Sequence, residues 1–284
     1  MKVIKKISEM REWSREAKRQ GKTVGFVPTM GYLHEGHLSL IKDAGKECDS
    51  VVISIYVNPA QFGPDEDLEK YPRDLERDKI LSENEGVDVI FTPSSGEMYP
   101  LGYATDVEVK GQLTEALCGR SRPGHFKGVA TVVTKLFNIV EPDKAYFGQK
   151  DAQQAVVVKR IALDLNIPVD IKVLPIVRED DGLAMSTRNG YLSAGQREQA
   201  RGLSHSLEHA KEIISAGEIS VEAIKHEIKN ILKKGKDVRV DYVEIVETDT
   251  LEPLEEVKGS ALIAIAAFVG DTRLIDNVII KGAE

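Results

Sequence analysis

The stretch PTMGYLHEGHLSLI, residues 28–41, marks a change from strand to helix. The run before it, residues 23–28, is rich in β-branched and apolar residues, which predicts a strand that Pro28 ends. The apolar spacing of residues 37–49 predicts a helix that begins near His37. Gly31 permits a tight turn between the two elements. The sequence therefore predicts that a strand-to-helix turn carries the histidines of this stretch.

The same alternation of strand and helix continues along the chain from this segment. Helical patterns and buried-strand patterns alternate in the following order: a helix over 7–20, strands over 50–59 and 87–93 on either side of a helix over 73–85, a helix within 128–140, a strand over 143–148, a helix over 151–166 and a strand over 169–177. Such alternation predicts an α/β fold with a doubly wound, mostly parallel sheet. In these sheets ligands bind beyond the carboxyl ends of the strands.

The pattern changes after Val177. Residues 193–234 carry two helical patterns, and strand-like runs follow over 238–247, 260–270 and 272–280. Helices grouped apart from strands predict a small α+β domain. We therefore expect a first domain over residues 1–177 and a smaller carboxy-terminal α+β domain over 178–284, which packs against the first as a lid or wall.

Composition and charge narrow the function classes. The chain has 284 residues, 42% of them hydrophobic, with 38 Lys and Arg against 46 Asp and Glu, so its net charge is −8. This charge argues against general binding to nucleic acid or to an anionic membrane. Its two cysteines lack the spacing of a zinc module, and no apolar stretch approaches the roughly 20 residues that span a bilayer. The amino terminus lacks the pattern of a signal peptide, and we expect a cytoplasmic protein.

The histidines of residues 28–41 suit an anion. His34 and His37 lie three residues apart, so both imidazoles project near a helix N-terminus, where free N–H groups and the helix dipole favour negative charge. Gly36 between them lets a nucleotide approach the backbone. The spacing of Gly31 and Gly36 is that of a P-loop, but His37 stands in place of its Lys and Leu38 in place of its Ser or Thr.

Two further segments carry candidate phosphate-binding side chains. FGQKDAQQ, residues 147–154, opens a helix at a strand end and supplies Lys150 as a positive charge and Gln154 as a donor and acceptor. LAMSTRNGYLS, residues 183–193, places Ser186, Thr187 and Arg188 before a turn, where they can close over a triphosphate.

Two loops are less specific. Asn58 and Gln61 follow the second buried strand, where substrate-binding residues are expected, whereas Asp65, Glu66, Asp67 and Glu69 are expected to be solvated. His125 lies near Arg120, Arg122 and Lys127, and this loop either helps to fix an anionic substrate or to order the lid, or it forms a structural turn.

Taken together, the motifs resemble one family. PTMGYLHEGH, NPAQF, YPRD, RPGHFKGVATVV, FGQKDAQQ and AMSTRN occur in the order and approximate spacing of the pantothenate synthetase (pantoate–β-alanine ligase) family, within the HxGH nucleotidyltransferase superfamily. The resemblance covers nearly the whole chain. It implies a Rossmann-like domain with a smaller carboxy-terminal domain, and a homodimer.

The resemblance also implies a reaction. ATP, with Mg²⁺, would activate pantoate as an enzyme-bound pantoyl adenylate, and β-alanine would then displace AMP to give pantothenate, a coenzyme A precursor. The catalytic groups implied are His34, His37, Lys150 and Arg188. The residues implied for the ATP site are Met30, Gly31, Tyr32, Leu33, His34, Glu35, Gly36, His37, Gly148, Gln149, Lys150, Asp151, Val177, Met185, Ser186, Thr187 and Arg188. Gln61 and Gln154 would hold pantoate.

Three positions depart from the family's usual pattern. Thr187 stands where the family often has a second Ser, Gln149 stands where it often has Glu, and Tyr32 occupies a variable position. The first two keep a polar group.

Two other functions share part of this pattern. An HxGH nucleotidyltransferase that acts on another small acid or phosphate would also release pyrophosphate, but it would leave the nucleotide on its product. A nucleotide-sensing module would bind ATP without turnover. Incubation with ATP, Mg²⁺ and pantoate, with or without β-alanine, separates the three.

Overall fold

The computed structural model describes residues 1–64 and 66–281. Over these residues the chain forms two compact units that interleave along the sequence. Of the described residues, the first unit contains those within 1–109, 122–149 and 157–175, and the second contains those within 110–121, 150–156 and 176–281. The boundary expected between residues 177 and 178 stays a prediction.

The first unit is built on a parallel sheet. Its strands, six in the described part of the chain, are β1 (Lys2–Ile4), β2 (Val24–Thr29), β3 (Ser50–Ile55), β4 (Val89–Phe91), β5 (Lys144–Gly148) and β6 (Asp170–Leu174). They lie in the order β1-β4-β3-β2-β5-β6, and each neighbouring pair is parallel. The predicted doubly wound α/β class is confirmed. From β2 the chain winds through β3 to β4, and β5 lies on the other side of β2. The carboxyl ends of β2 and β5 therefore flank the switch point of the sheet, where ligands bind in such folds.

The helices of this unit connect the strands. They are α1 (Ile7–Arg19), α2 (Glu35–Glu47), α3 (Leu75–Asn84), α4 (Ser95–Met98) and α7 (His125–Val140), and α8 (Ala152–Asp164) runs from the second unit into the first. The apolar residues of the central strands form the core, in which Phe26 and Phe137 pack edge to face at 6.5 Å. A Cβ at Gly25 would lie 3.2 Å from the Ala44 Cβ, so glycine lets α2 approach β2 closely.

The second unit has an antiparallel sheet with helices on it. In the described residues its strands are β7 (Val238–Val246), β8 (Ala261–Val269) and β9 (Thr272–Ile280), with β8 in the middle. Its helices are α5 (Gln112–Glu115), α6 (Cys118–Ser121), α9 (Ala194–Ser215) and α10 (Val221–Leu232). Apolar residues of α9 and α10 join those of β8 in one core. This arrangement confirms the predicted α+β pattern. Within residues 1–64 and 66–281, no helix is both long and apolar enough to cross a membrane.

Candidate active site

The turn from β2 to α2 carries the two histidines. His34 is the N-cap of α2, which begins at Glu35. The expected start near His37 was therefore two residues late, because the N-cap residue is a histidine rather than the usual Ser, Thr or Asp. The His34 N–H donates to Nδ1 of His37 at 3.3 Å. The two rings lie 4.1 Å apart and are tilted by 34°.

This contact decides where the proton of a neutral His37 lies. Nδ1 accepts a hydrogen bond, so the neutral ring carries its proton on Nε2. The ring therefore has an N–H donor on the side away from its own backbone. Together with the positive end of the α2 dipole, this arrangement suits an anion such as a phosphate oxygen.

A second turn, after β3, carries Gln61. The 3₁₀ turn Pro59–Gln61 begins at Asn58, which accepts a hydrogen bond from the Ala60 N–H. The Asn58 amide donates to Gln61 Oε1 at 3.1 Å, and Gln61 Nε2 donates to the Met30 Sδ at 3.3 Å. The structure thus brings together two of the predicted site residues, Met30 and Gln61, at the carboxyl ends of neighbouring strands.

Asn58 is itself fixed by residues far along the chain. It is 1% exposed, it accepts a hydrogen bond from the Tyr99 hydroxyl at 2.7 Å, and it donates to the Gly128 carbonyl at 3.2 Å. Any side chain at position 128 would overlap the Ala60 carbonyl, so glycine lets α7 approach the turn. No local sequence pattern indicated the hydrogen bond from Tyr99, because Tyr99 lies 41 residues from Asn58.

The loop around His125 supports the Gln61 turn. His125 Nδ1 lies 2.8 Å from the Gln61 carbonyl oxygen, which can only accept, so Nδ1 carries the proton. Nε2 then accepts from Arg122 Nη1 at 3.0 Å. Arg122 also binds both carboxylate oxygens of Glu66 at 2.6 Å. The expectation that Glu66 is solvated is wrong, while Asp65 lies outside the described residues.

The cations of this loop each meet a carboxylate. Arg122 pairs with Glu66 and Lys127 with Asp106 in the first unit, and Arg120 pairs with Glu244 in the second. Burial raises the pKa of Glu66, but hydrogen bonds and charge from Arg122 outweigh it and hold the pKa below its ordinary value. Of the two alternatives for the His125 loop, these contacts favour a structural role over binding of an anionic substrate.

In the second unit, β9 binds the chain at Lys150 and at Arg178, which follows Val177. Asn277 donates from its side chain to the Lys150 carbonyl at 3.0 Å, and the preceding Asp276 forms a bidentate ion pair with Arg178 at 2.7 and 3.0 Å. The Met185 N–H donates to the Val177 carbonyl at 3.0 Å, which sets these two predicted residues side by side.

The polar turn after Met185 is fixed by its own side chains. The Ser186 hydroxyl accepts from the Arg188 N–H at 3.3 Å. The Asn189 amide donates to the Ala184 carbonyl at 3.0 Å and to Glu179 at 2.6 Å. Thr187 is buried. The turn thus has a defined conformation in which Arg188 lies at the start of a short 3₁₀ helix.

Gln153 and Gln154 have different surroundings. Gln153 is 5% exposed, accepts from the Cys118 N–H, and donates to the Leu113 and Ala116 carbonyls. Successive residues of a helix project about 100° apart, so Gln154 faces another direction. Gln153 is thus committed to structure, and Gln154 stays the predicted ligand residue.

The predicted residues divide between the units. Those from Met30 to His37, with Gln61, Gly148 and Gln149, belong to the first unit, and Lys150, Asp151, Gln154, Val177 and Met185 to Arg188 belong to the second. Within each unit the structure places several of them together. The Tyr32 side chain is exposed, whereas the Leu33 side chain is fully buried.

The comparisons with known proteins give the family. Residues 2–279 match the family model for pantoate-beta-alanine ligase. The chain belongs to this family. It is 55% identical over 281 residues to the pantothenate synthetase of Caldicellulosiruptor saccharolyticus, covering 99% of this chain and 100% of the relative. As a family member it is an ATP-dependent ligase.

Two solved structures of the family share the fold of this ligase. Pantothenate synthetase from Thermus thermophilus superposes with a TM-score of 0.93 at 45% identity, over 98% of this chain and 99% of that one. Pantoate-beta-alanine ligase from Francisella tularensis, complexed with beta-gamma ATP and beta-alanine, superposes with a TM-score of 0.79 at 34% identity, over 98% and 97%.

Proposed function

We propose that the chain condenses pantoate with β-alanine in two steps, through an enzyme-bound pantoyl adenylate. The observation that carries this proposal is the position of the stacked His34 and His37 at the N-terminus of α2, directly beyond the carboxyl end of β2. A carboxylate cannot be attacked by an amine until one of its oxygens becomes part of a good leaving group, and ATP supplies that group.

The two steps balance without an enzyme nucleophile. In the first, a pantoate carboxylate oxygen bonds to the α-phosphorus, and the bond to the bridging oxygen breaks to release pyrophosphate. In the second, the neutral amine of β-alanine bonds to the acyl carbon, the bond to AMP breaks, and the amine loses a proton. Charge builds on the phosphate oxygens during the first step, so preorganised donors accelerate it.

We assign the residues by family resemblance and by the contacts described above. His37, with Nε2–H as donor, and His34 bind phosphate oxygens, and Lys150 and Arg188 contribute positive charge. Gln61, held by Asn58 beside Met30, and Gln154 bind pantoate. The other proposed nucleotide-binding residues are Met30 to Tyr32, Glu35, Gly36, Gly148, Gln149, Asp151, Val177 and Met185 to Thr187. Leu33 was also predicted there, but its side chain is fully buried and its backbone is bound by α3.

Magnesium enters with the nucleotide. Among the described residues, no group of three or more His, Cys, Asp or Glu side chains is arranged to hold a metal ion. Mg²⁺ commonly keeps several waters and binds through substrate phosphates. We therefore propose that the ion binds together with ATP, as a Mg²⁺–ATP substrate. When bound, the ion would neutralise phosphate charge, and the residues above would bind and orient the nucleotide.

The test is a coupled assay in two stages. With ATP, Mg²⁺ and pantoate alone, about one pyrophosphate per active site should form and rapid quench should recover pantoyl adenylate. Addition of β-alanine should discharge it as AMP and pantothenate. A requirement for β-alanine before any pyrophosphate appears would contradict the two-step mechanism, and a nucleotidylated product that β-alanine does not discharge would favour the alternative transferase.

The family resemblance implies a homodimer, and the pattern of the amino terminus predicts a cytoplasmic protein. We propose both for the chain, and sedimentation equilibrium measures the oligomeric state directly. A single species with twice the 31.3 kDa chain mass is expected.

A further inference from the structure

The turn between β2 and α2 is held by two neighbouring side chains of α3, Arg77 and Asp78. The Asp78 carboxylate accepts the N–H of Tyr32 at 2.8 Å and the N–H of Leu33 at 2.7 Å. The Arg77 guanidinium donates to the Leu33 carbonyl oxygen at 2.8 Å. Both backbone polar groups of Leu33 are therefore bound by α3.

The backbone of this turn needs such support. Gly31 has φ 85° and Tyr32 has φ 52°, and the left-handed conformation is unfavourable for a residue with a side chain such as Tyr32. The Gly31 N–H is bound by the Thr29 hydroxyl at 3.1 Å. The Arg77 guanidinium also lies 5.1 Å from the centre of the Tyr32 ring. Contacts from α3 thus compensate for an unfavourable backbone.

The Asp78 carboxylate is committed to these contacts. It is 1% exposed, and a buried carboxylate needs donors to offset the loss of water. Burial raises its pKa, and the N–H groups of Leu33 and Tyr32 and the charge of Arg77 oppose that rise. A Cβ at position 31 would lie 3.0 Å from Asp78 Oδ2, which shows how closely the carboxylate approaches the turn.

This arrangement differs from a P-loop in what the backbone amides bind. In a P-loop successive N–H groups cradle a phosphate. Here the amides of Tyr32 and Leu33 bind a carboxylate of the same chain. The phosphate must then be bound by side chains and by the start of α2. His34 follows Leu33 directly and its N–H contacts His37, so the orientation of both imidazoles depends on this backbone.

We infer that Asp78, with Arg77, is a positioning residue for the adenylation step: it fixes the backbone ahead of His34 and thereby the two imidazoles. The inference rests on the proposed function, because it takes the imidazoles to bind the triphosphate. Asp78 acts through the Tyr32 and Leu33 amides and does not touch the nucleotide.

Amide hydrogen exchange tests the contact without any substrate. In the wild type the Tyr32 and Leu33 amides should be protected, and in Asp78→Asn both should exchange at least about tenfold faster, while amides of β2 stay protected. Unprotected Tyr32 and Leu33 amides in the wild type would overturn the inference. A wild type that makes no pantothenate would count against the proposed function, and the exchange result would stand apart from it.

Single-turnover pyrophosphate release tests the consequence. Displacement of a reacting group by about 1 Å can cost about 10²-fold, so Asp78→Asn should slow adenylation by about 10–100-fold, with pantoate affinity unchanged. The matched control is Ser82→Ala, on the same helix, also fully buried, whose hydroxyl donates to the Asp78 main-chain oxygen. It should lower thermal stability and leave adenylation unchanged. Equal losses in both variants would reduce Asp78 to a stabilising residue.

A second variant keeps the test open if Asp78→Asn does not fold. Arg77→Met removes the donor to Leu33, and the Arg77 side chain is 43% exposed, so the fold is at little risk. It should slow adenylation by a smaller factor, about 3–10-fold, with the same unchanged pantoate affinity. A wild-type adenylation rate in Arg77→Met, together with an unfolded Asp78→Asn, would overturn the inference.

Discussion

The two candidate phosphate-binding turns are held in different ways. In the turn after β2, the backbone ahead of His34 is bound by a carboxylate and a guanidinium from α3, about 45 residues along the chain. In the turn after β5, the Lys150 carbonyl accepts one neutral hydrogen bond from Asn277, which is 127 residues away in β9. The first turn therefore depends on its own sheet and helices, and the second depends on the carboxy-terminal sheet. Substitutions in β9 should therefore change the position of Lys150 and leave the positions of His34 and His37 unchanged.

The largest expected effect comes from substitutions that remove one charge or hydrogen-bond donor from each turn. His37→Ala and Lys150→Ala should each slow adenylation by about 10²–10³-fold, the usual loss when one preorganised electrostatic donor is deleted. Single-turnover pyrophosphate release measures it. If both groups act on one triphosphate, the double variant should lose less than the product of the single losses. His205→Ala, an exposed histidine of α9, is the control.

Wild-type adenylation rates in either single variant would remove that residue from the mechanism. Losses that multiply fully in the double variant would mean that the two turns act independently.

The next effect tests the dependence of Lys150 on β9. Asn277→Ala removes this donor from the partly buried Lys150 carbonyl, so Lys150 is held less precisely. Because a displacement of about 1 Å can cost about 10²-fold in rate, adenylation should slow by about 5–100-fold. In a Lys150→Ala background the same change should add little. Full additivity of the two losses would show that Asn277 acts elsewhere, and exchange protection at Tyr32 and Leu33 should stay unchanged.

A smaller effect separates pantoate from ATP. Gln61→Ala and Gln154→Ala each remove one hydrogen-bonding amide, worth about 0.5–1.5 kcal/mol, so pantoate should bind about 3–10-fold more weakly and ATP equally well. Calorimetry with each ligand decides it. Gln153→Ala is the matched glutamine: it should lower the melting temperature and keep pantoate affinity. Equal weakening of both ligands by Gln61→Ala would place Gln61 at the nucleotide.

The smallest expected effect concerns acid stability. The pKa of Glu66 in the folded chain lies below its ordinary value of 4.5, so the pair with Arg122 stabilises the fold above that value and its contribution is lost as pH falls below it. Glu66→Gln should therefore flatten the fall in unfolding free energy between about pH 5 and pH 3. Urea unfolding across this range measures it. Glu76→Gln, at an exposed pair, should change nothing, and an unchanged slope in Glu66→Gln would contradict the prediction.

Periodicity located the long elements but not the short ones. The strand and helix patterns predicted every strand from β2 to β9 and each of the longer helices. These patterns did not predict β1 or the helices α4, α5 and α6, because elements of three or four residues are too short to show a repeat. The order of strands in the sheet, and hence the switch point between β2 and β5, also lay outside the sequence, because pairing joins residues far apart in the chain.

The sequence by itself predicted which residues carry the chemistry, namely His34 and His37 at a helix start, Lys150 after a strand and Gln61 in a turn, and it determined the order of motifs that the family shares. Local spacing fixes these features, because a strand end, a glycine and a helix start are all encoded within a few residues. Only the tertiary structure decided what holds them. Asp78 on Tyr32 and Leu33, Tyr99 on Asn58, Arg122 on Glu66 and Asn277 on Lys150 are contacts across 41 to 127 residues. Their partners are chosen by packing, and no local pattern records that choice.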